Sequence, residues 1–164
     1  LIIVDLFFED GAPEHLTTVE FYKDLKNCLK DEGILISNSI ADFSDNLTLN
    51  TILSTFNAVF KNIYYFYDKI YVDRAILKTT NLFILASNKK GHKKIDIKLE
   101  NVPNNMHPKI LHTLKNINKF KKENFNKENV LFDENNRYSK IFSKSLASYR
   151  KLISNVTPSR ILMN

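Results

Sequence analysis

Five side chains able to take part in chemistry stand close together near the start of the sequence: Asp5, Glu9, Asp10, Glu14 and His15. A carboxylate attracts a nearby ammonium group, and the attraction grows where water is partly excluded. The cluster therefore suits a cationic ligand such as an amine. Loops are also commonly polar without binding anything, so the composition alone leaves an ordinary solvated loop open.

These residues directly follow a short apolar run. Leu1 to Val4 is continuously apolar and is followed by Asp5, a pattern typical of a strand covered on both faces of a parallel sheet. In open α/β sheets, ligands bind beyond the carboxyl ends of the strands. We therefore expect the functional site in the loop from Asp5 to His15.

A helix and a second strand are predicted to follow. Thr17 and Glu20 form a capping-box pattern ahead of apolar residues at helical spacing, and Gly33 closes that helix. The run Ile34 to Asn38 then predicts another buried strand. Apolar residues recur three and four positions apart from Leu49 to Phe60, which predicts a second helix lying on the sheet.

Two β-rich runs end this part of the chain. Ile63 to Val72 and Thr79 to Ser87 are separated by a few polar residues and predict a terminal antiparallel pair. The elements together predict an α/β fold that forms the C-terminal half of a Rossmann-like sheet. We assign residues 1–88 to this half-domain and residues 89–164 to a basic, mainly helical tail.

The tail differs from the first part in charge. Residues 1–87 carry 7 basic and 12 acidic side chains, whereas residues 88–164 carry 17 basic and 6 acidic ones, within a net charge of +6. Lysine alternates with asparagine over many segments, which a biased coding sequence also produces, so nucleic acid is not the expected partner. The spacing predicts helices from Pro108 to Phe120 and from Tyr138 to Ile153, with a mobile Asn/Lys-rich connection from Lys119 to Asn129.

Short motifs follow one another in a recognisable order: Ile2-Ile3-Val4-Asp5, Gly11, Glu14-His15-Leu16, Thr18-Val19-Glu20-Phe21-Tyr22, and Leu29-Lys30-Asp31-Glu32-Gly33-Ile34-Leu35. This order resembles the central stretch of the spermidine synthase family of aminopropyltransferases. Thr79 to Lys89 also resembles the closing strand of that family, and Val130 to Glu134 is weakly similar to an element near the end of some relatives. The resemblance implies a sheet of the type found in S-adenosylmethionine-dependent methyltransferases.

The resemblance also implies a reaction and roles for individual residues. An amine such as putrescine attacks the propyl carbon of decarboxylated S-adenosylmethionine, the co-substrate, and methylthioadenosine leaves. Asp5 is then the base that accepts a proton from the amine. Ala12 falls where the family borders the adenosine. Glu9 and Asp10 are the expected substrate-binding acids because they directly follow Phe8, the position at which the family has its second acid. The other interpretation of Asp5 is a structural acid that accepts hydrogen bonds from backbone amides.

Two departures from the family pattern keep other functions open. Phe8 stands where the family has a second acid that holds the diamine, and residues Tyr71 to Ala75 replace a Pro-x-Tyr-x-x-Gly element. Arg74, within that segment, would repel a diamine. The alternatives are a methyltransferase that uses S-adenosylmethionine and a non-catalytic Rossmann-like module that contacts a partner through its basic tail.

The remaining features mainly exclude classes of function. The single cysteine, Cys28, rules out an internal disulfide and is expected to be a buried, inert thiol. His107 and His112 lack a neighbouring cysteine, so no metal is expected. No stretch is long and apolar enough for a membrane span, which favours the cytoplasm. Because an apolar strand opens the sequence, we expect a fragment of a longer protein; self-association is left open.

Overall fold

The computed structural model describes residues 1–6, 12–44, 46–69, 72, 78–88, 106, 108–115, 117–121, 125–143 and 147. These residues form a five-stranded mixed sheet in the order β1-β2-β4-β3-β5. The strands are β1 (Ile2–Val4), β2 (Ile34–Asp42), β3 (Asn62–Tyr67), β4 (Thr79–Ser87) and β5 (Asn118–Lys119). β1 pairs with β2 in parallel, and each of the other pairs is antiparallel. The predicted α/β sheet with a terminal antiparallel pair is confirmed.

The middle of the sheet is built on β2 and β4, which pair along their whole length. Ile34 lies opposite Ser87 at one end, and Asp42 lies opposite Thr79 at the other. Side chains along β2 alternate in burial, because successive residues of a strand point to opposite faces. The buried set comprises Leu35, Ser37, Ser39 and Ala41.

Two helices cover one face of this sheet. They are α1 (Val19–Cys28) and α2 (Leu47–Val59), and a third helix, α3 (Pro108–Lys115), follows the last long strand. The ring of Tyr22 on α1 lies 4.1 Å from that of Phe56 on α2, measured between centroids. Phe56 is wholly buried. Aromatic contacts of this kind join the two helices into one core over the sheet.

Several element boundaries differ from those that the sequence predicts. β2 continues four residues beyond Asn38, because β4 supplies hydrogen-bonding partners as far as Asp42. The strand that begins near Ile63 ends at Tyr67 and not at Val72. The helix that begins at Pro108 ends at Lys115, and the chain then pairs with β3 as the short strand β5.

The start of α1 is shifted by one residue from the predicted capping box. Thr18 is the N-cap, and its hydroxyl accepts a hydrogen bond from the backbone N–H of Phe21 at 3.3 Å. The hydroxyl of Thr17 donates to the carbonyl of Glu14 instead. Glu20 does not cap the helix but accepts a hydrogen bond from the backbone of Asp133. The prediction failed because a local turn takes up the hydroxyl of Thr17 and a tertiary contact takes up the carboxylate of Glu20.

The predicted burial of Cys28 is wrong, since its side chain is exposed. The buried residues of α1, Val19 and Tyr22, lie in its first turns, and Cys28 lies on the exposed side of its last turn. We expect a thiol reagent such as dithionitrobenzoate to label Cys28 completely in the folded protein within minutes, with no denaturant. Labelling that required unfolding would contradict this placement.

The region after residue 120 packs on the same core. Four of its apolar side chains are buried there: Val130, Leu131, Tyr138 and Phe142. The described residues of the predicted mobile connection include a 3₁₀ turn, Lys127–Asn129, next to this buried group. Residues 138–143 are helical, as predicted for the start of the last helix. Most of the remainder of that helix lies outside the described residues, and so do residues 89–94, the lysine-rich start of the predicted basic tail.

Candidate active site at the carboxyl end of β1

Asp5 lies at the carboxyl end of β1, beside the neighbouring parallel strand. β1 ends at Val4, which pairs with Ser37 of β2, so the next residue of each strand also comes side by side. The side-chain N–H of Asn38 donates to Oδ1 of Asp5 at 3.0 Å. Asp5 remains exposed. The carboxylate is therefore held in a fixed orientation from one side and stays accessible to a ligand from the other.

The other end of the Asn38 amide is the unusual feature of this site. Its Oδ1 atom is buried and has no hydrogen-bond partner within the described residues. A buried acceptor without a partner costs about 1–3 kcal/mol, so such atoms are uncommon in folded proteins. A ligand that carries N–H groups would remove this cost. Of the two groups, the carboxylate of Asp5 is exposed and can bind an amine directly, whereas the amide oxygen of Asn38 accepts a hydrogen bond from a ligand only if the site opens.

Sequence reasoning missed Asn38. It predicted that this residue merely ended a strand, whereas the residue is in the middle of β2 and faces the end of the shorter strand β1. The signal that could have found it is the parallel register. When a strand ends in an acid, the polar residue at the matching height of the next parallel strand belongs to the same site.

An apolar surface lies on the far side of Asn38. In β4, Phe83 pairs with Asn38, and the ring of Phe83 stacks on Phe66 of β3 with centroids 5.1 Å apart. Both rings are half-buried. Paired positions on neighbouring strands share a sheet face, so a polar end and an aromatic end adjoin across the sheet. Such a surface suits a ligand with an amine at one end and an alkyl chain beside it.

The loop between β1 and α1 is described only in part. Glu9 and Asp10, the predicted substrate-binding acids, lie outside the described residues together with Phe8 and Gly11. Ala12 is half-buried and packs against the hydrophobic core. Its predicted role beside an adenosine stays a prediction.

Two structural features bear on other classes of function. In the described part of the chain, no group of three or more His, Cys, Asp or Glu side chains is arranged to hold a metal ion. Among the same residues, no helix has both the length and the apolar character that crossing a membrane requires.

A comparison with known protein families assigns the chain to a family. The spermine/spermidine synthase domain matches residues 1–98, which include β1 to β4 and both helices on the sheet. The chain belongs to the spermine/spermidine synthase family. The region from residue 125 to residue 143 lies outside this match.

A solved structure shows the same fold. The crystal structure of a probable spermidine synthase from Corynebacterium glutamicum aligns with a TM-score of 0.50 and 21% sequence identity. The alignment covers 60% of this chain and 34% of that chain, so this chain matches about a third of the solved one. A search among curated proteins returned no match.

Proposed function

We propose that this protein is an aminopropyltransferase of polyamine biosynthesis. It would transfer the aminopropyl group of decarboxylated S-adenosylmethionine to an amine such as putrescine, in the cytoplasm. The observation that supports this most is the carboxylate of Asp5, exposed at the carboxyl end of β1 and oriented by Asn38. The family match includes both residues.

The reaction needs an amine that has lost its extra proton, because an ammonium has no lone pair to donate. The amine nitrogen forms a bond to the propyl carbon, the bond from that carbon to the sulfonium sulfur breaks, and methylthioadenosine leaves. One proton must leave the nitrogen. Asp5 is the proposed acceptor, since a carboxylate within hydrogen-bonding distance can remove it as the new bond forms.

Asn38 is proposed to complete the amine site. Its N–H holds one oxygen of Asp5, and its buried Oδ1 is the acceptor without a partner within the described residues. An amine that donates to Asp5, and to the amide oxygen of Asn38 once the site has opened to it, would have its lone pair directed away from both groups. Fixing that direction raises the rate because the reacting atoms no longer need to find their alignment by diffusion.

The remaining substrate contacts are further proposals, of which only that of Ala12 follows from the family. Glu9 and Asp10 would bind a second, protonated amino group of the substrate, and Ala12 would border the adenosine. The half-buried rings of Phe83 and Phe66 adjoin Asn38 across the sheet. They would cover the methylene chain between the two amino groups. This chain is uncharged, so its burial against an apolar surface removes no water from a charged group.

Binding measurements separate this function from its alternatives. We expect isothermal titration of the full-length protein to show at least tenfold tighter binding of decarboxylated S-adenosylmethionine than of S-adenosylmethionine. The physical reason is that the extra carboxylate of S-adenosylmethionine would approach the loop from Asp5 to His15, which we call the acidic loop, and be repelled by its carboxylates. Tighter binding of S-adenosylmethionine would favour the methyltransferase function, and binding of neither would favour a non-catalytic module.

A charge-matched control makes the comparison specific. Asp24→Asn removes one negative charge from the exposed side of α1. It should leave the preference for the decarboxylated compound unchanged, whereas Asp5→Asn should reduce it. Equal effects of the two variants would show that the preference comes from net charge and not from this site.

A further inference from the structure

A segment beyond the family match crosses both helices on the sheet. We call residues 125–143 the strap. The backbone N–H of Leu131 donates to Oγ1 of Thr55 at 3.1 Å, and the carbonyl of Leu131 accepts from the backbone N–H of Val19 at 2.9 Å. Thr55 is on α2 and Val19 opens α1. One strap residue therefore joins the middle of one helix to the start of the other.

The strap is fixed by burial as well as by hydrogen bonds. Leu131 and Phe142 are each 1% exposed, and Tyr138 is 4% exposed. The ring of Tyr138 stacks on that of Phe142 with centroids 4.4 Å apart. Because these side chains share the core of the sheet domain, the strap is a part of that core and not a loose extension.

The far end of the strap holds the segment that leads from the acidic loop into α1. Nδ2 of Asn136 donates to the carbonyl of Glu14 at 2.6 Å and to Oγ1 of Thr17 at 3.2 Å. The backbone N–H of Ser139 donates to Oε1 of Glu14 at 3.1 Å. Glu14 is thus held through both its backbone and its side chain.

Asn136 is itself held in place. Its Oδ1 accepts a hydrogen bond from the backbone N–H of Tyr138 at 2.9 Å, at the start of the helical residues 138–143. One amide therefore serves two purposes: its oxygen caps a turn of the strap, and its N–H group reaches across to residues 14–17. Asn136 is half-buried and Ser139 is exposed, but both flank the buried ring of Tyr138, which fixes this part of the strap to the core.

We propose that the strap is a positioning element of the active site and that Asn136 is its positioning residue. Glu14 and Thr17 follow Ala12 closely in sequence and are both held by Asn136, so the strap restrains the chain just after the loop that begins at Asp5. This inference rests on the proposed function. It places the effect of the strap on binding of the nucleoside substrate beside Ala12, while the chemistry at Asp5 stays unchanged.

The test uses Asn136→Asp in the full-length protein. An aspartate is as good an N-cap as an asparagine, so the bond from Tyr138 is retained, but the N–H donors to Glu14 and Thr17 are lost. Amide hydrogen exchange at Thr17, whose N–H donates to the carbonyl of Glu14 at 3.0 Å, should become about tenfold faster. Unchanged exchange at residues 16–17 would overturn the proposal.

A neighbouring residue provides the control. The guanidinium of Arg137 donates to the carbonyl of Glu128, so this contact stays within the strap. Arg137→Met should leave the exchange of residues 16–17 unchanged. If both variants speed that exchange equally, the strap responds to any substitution and Asn136 has no special role.

The kinetic measurement then tests the role in the site. Asn136→Asp should raise KM for decarboxylated S-adenosylmethionine about tenfold and change kcat less than twofold, since two hydrogen bonds of ordinary strength are lost away from the reacting atoms. A tenfold fall in kcat with unchanged KM would contradict a role in positioning the residues that bind the nucleoside substrate. If the unaltered protein transfers no aminopropyl group, the proposed function fails, and the exchange measurements still show whether the strap holds residues 14–17.

Discussion

Replacing Asp5 by asparagine is expected to lower kcat/KM for aminopropyl transfer by about 10²–10⁴-fold, the usual contribution of a general base. The substituted amide keeps an oxygen that can accept the hydrogen bond from Asn38, so the local geometry is preserved. It cannot take up a proton from the amine. Because Asp5 is exposed, the melting temperature should stay that of the unaltered protein.

The size of this effect is judged against two other variants. Asp24→Asn makes the same change of charge on an exposed side of α1 and should retain full activity. Asn38→Leu should lower activity by about tenfold or more, because it removes the group that orients Asp5 and one acceptor for the amine. An Asp5→Asn variant that kept a tenth or more of the activity would show that another group is the base.

The second large effect concerns stability at high pH. Burial raises the pKa of Tyr22 well above its ordinary value, and the neighbouring Tyr138 raises it further, against a smaller opposite effect of a hydrogen bond with Ser37. Burial likewise raises the pKa of Tyr138. An unfolded tyrosine ionises near pH 10, so both hydroxyls stay protonated to a higher pH in the folded state than in the unfolded state. Their contribution to the free energy of unfolding is fully present below pH 10. It is lost as the pH rises from 10 towards the raised pKa values of the folded state.

The expected slope follows from this difference in proton binding. Each of the two tyrosines should reduce the free energy of unfolding by about 1.4 kcal/mol for every pH unit above 10, or about 2.8 kcal/mol together. Urea unfolding at pH 8, 10, 11 and 12 measures it. At pH 8, Tyr22→Phe should be less stable than the unaltered protein, because the substitution removes the hydrogen bond to Ser37. At pH 12 it should be more stable, because phenylalanine has no hydroxyl to ionise.

Tyr65 provides the comparison for the alkaline effect. Burial raises its pKa too, with a further contribution from Tyr67, but its side chain is only half-buried. Tyr65→Phe should therefore change the alkaline slope less than Tyr22→Phe does. A slope that was the same in all three proteins would mean that lysines or other groups, and not the buried tyrosines, dominate alkaline unfolding.

The sheet could be predicted from the sequence because its strands carry a simple signal. Leu1 to Val4 and the run from Ile34 are short and apolar, and α2 shows a regular apolar stripe. What the sequence did not predict are the features set by distant partners. β2 extends to Asp42 only because β4 pairs with it that far.

The residues of the site divide in the same way into those that local sequence predicts and those that depend on distant partners. Asp5 at a strand end follows from local pattern and general rules for α/β sheets. Asn38 belongs to the site through the register of two strands that are 33 positions apart in sequence. The strap was harder still to foresee, because the polar composition of its first residues, up to Asn129, predicts mobility, and nothing local indicates that the strap packs on the sheet domain. Its order comes from a few apolar residues, among them Leu131 and Phe142, that find places in a core built by other elements.

The most direct measurement is amine-dependent release of methylthioadenosine. The full-length protein would be incubated with decarboxylated S-adenosylmethionine carrying a labelled propyl group, with and without putrescine or a longer diamine. We expect methylthioadenosine and a labelled polyamine in equal amounts, and neither product when the amine is omitted or Asp5 is replaced by asparagine. Failure to form a labelled polyamine with any amine, at protein concentrations where the nucleoside is bound, would contradict aminopropyl transfer as the function.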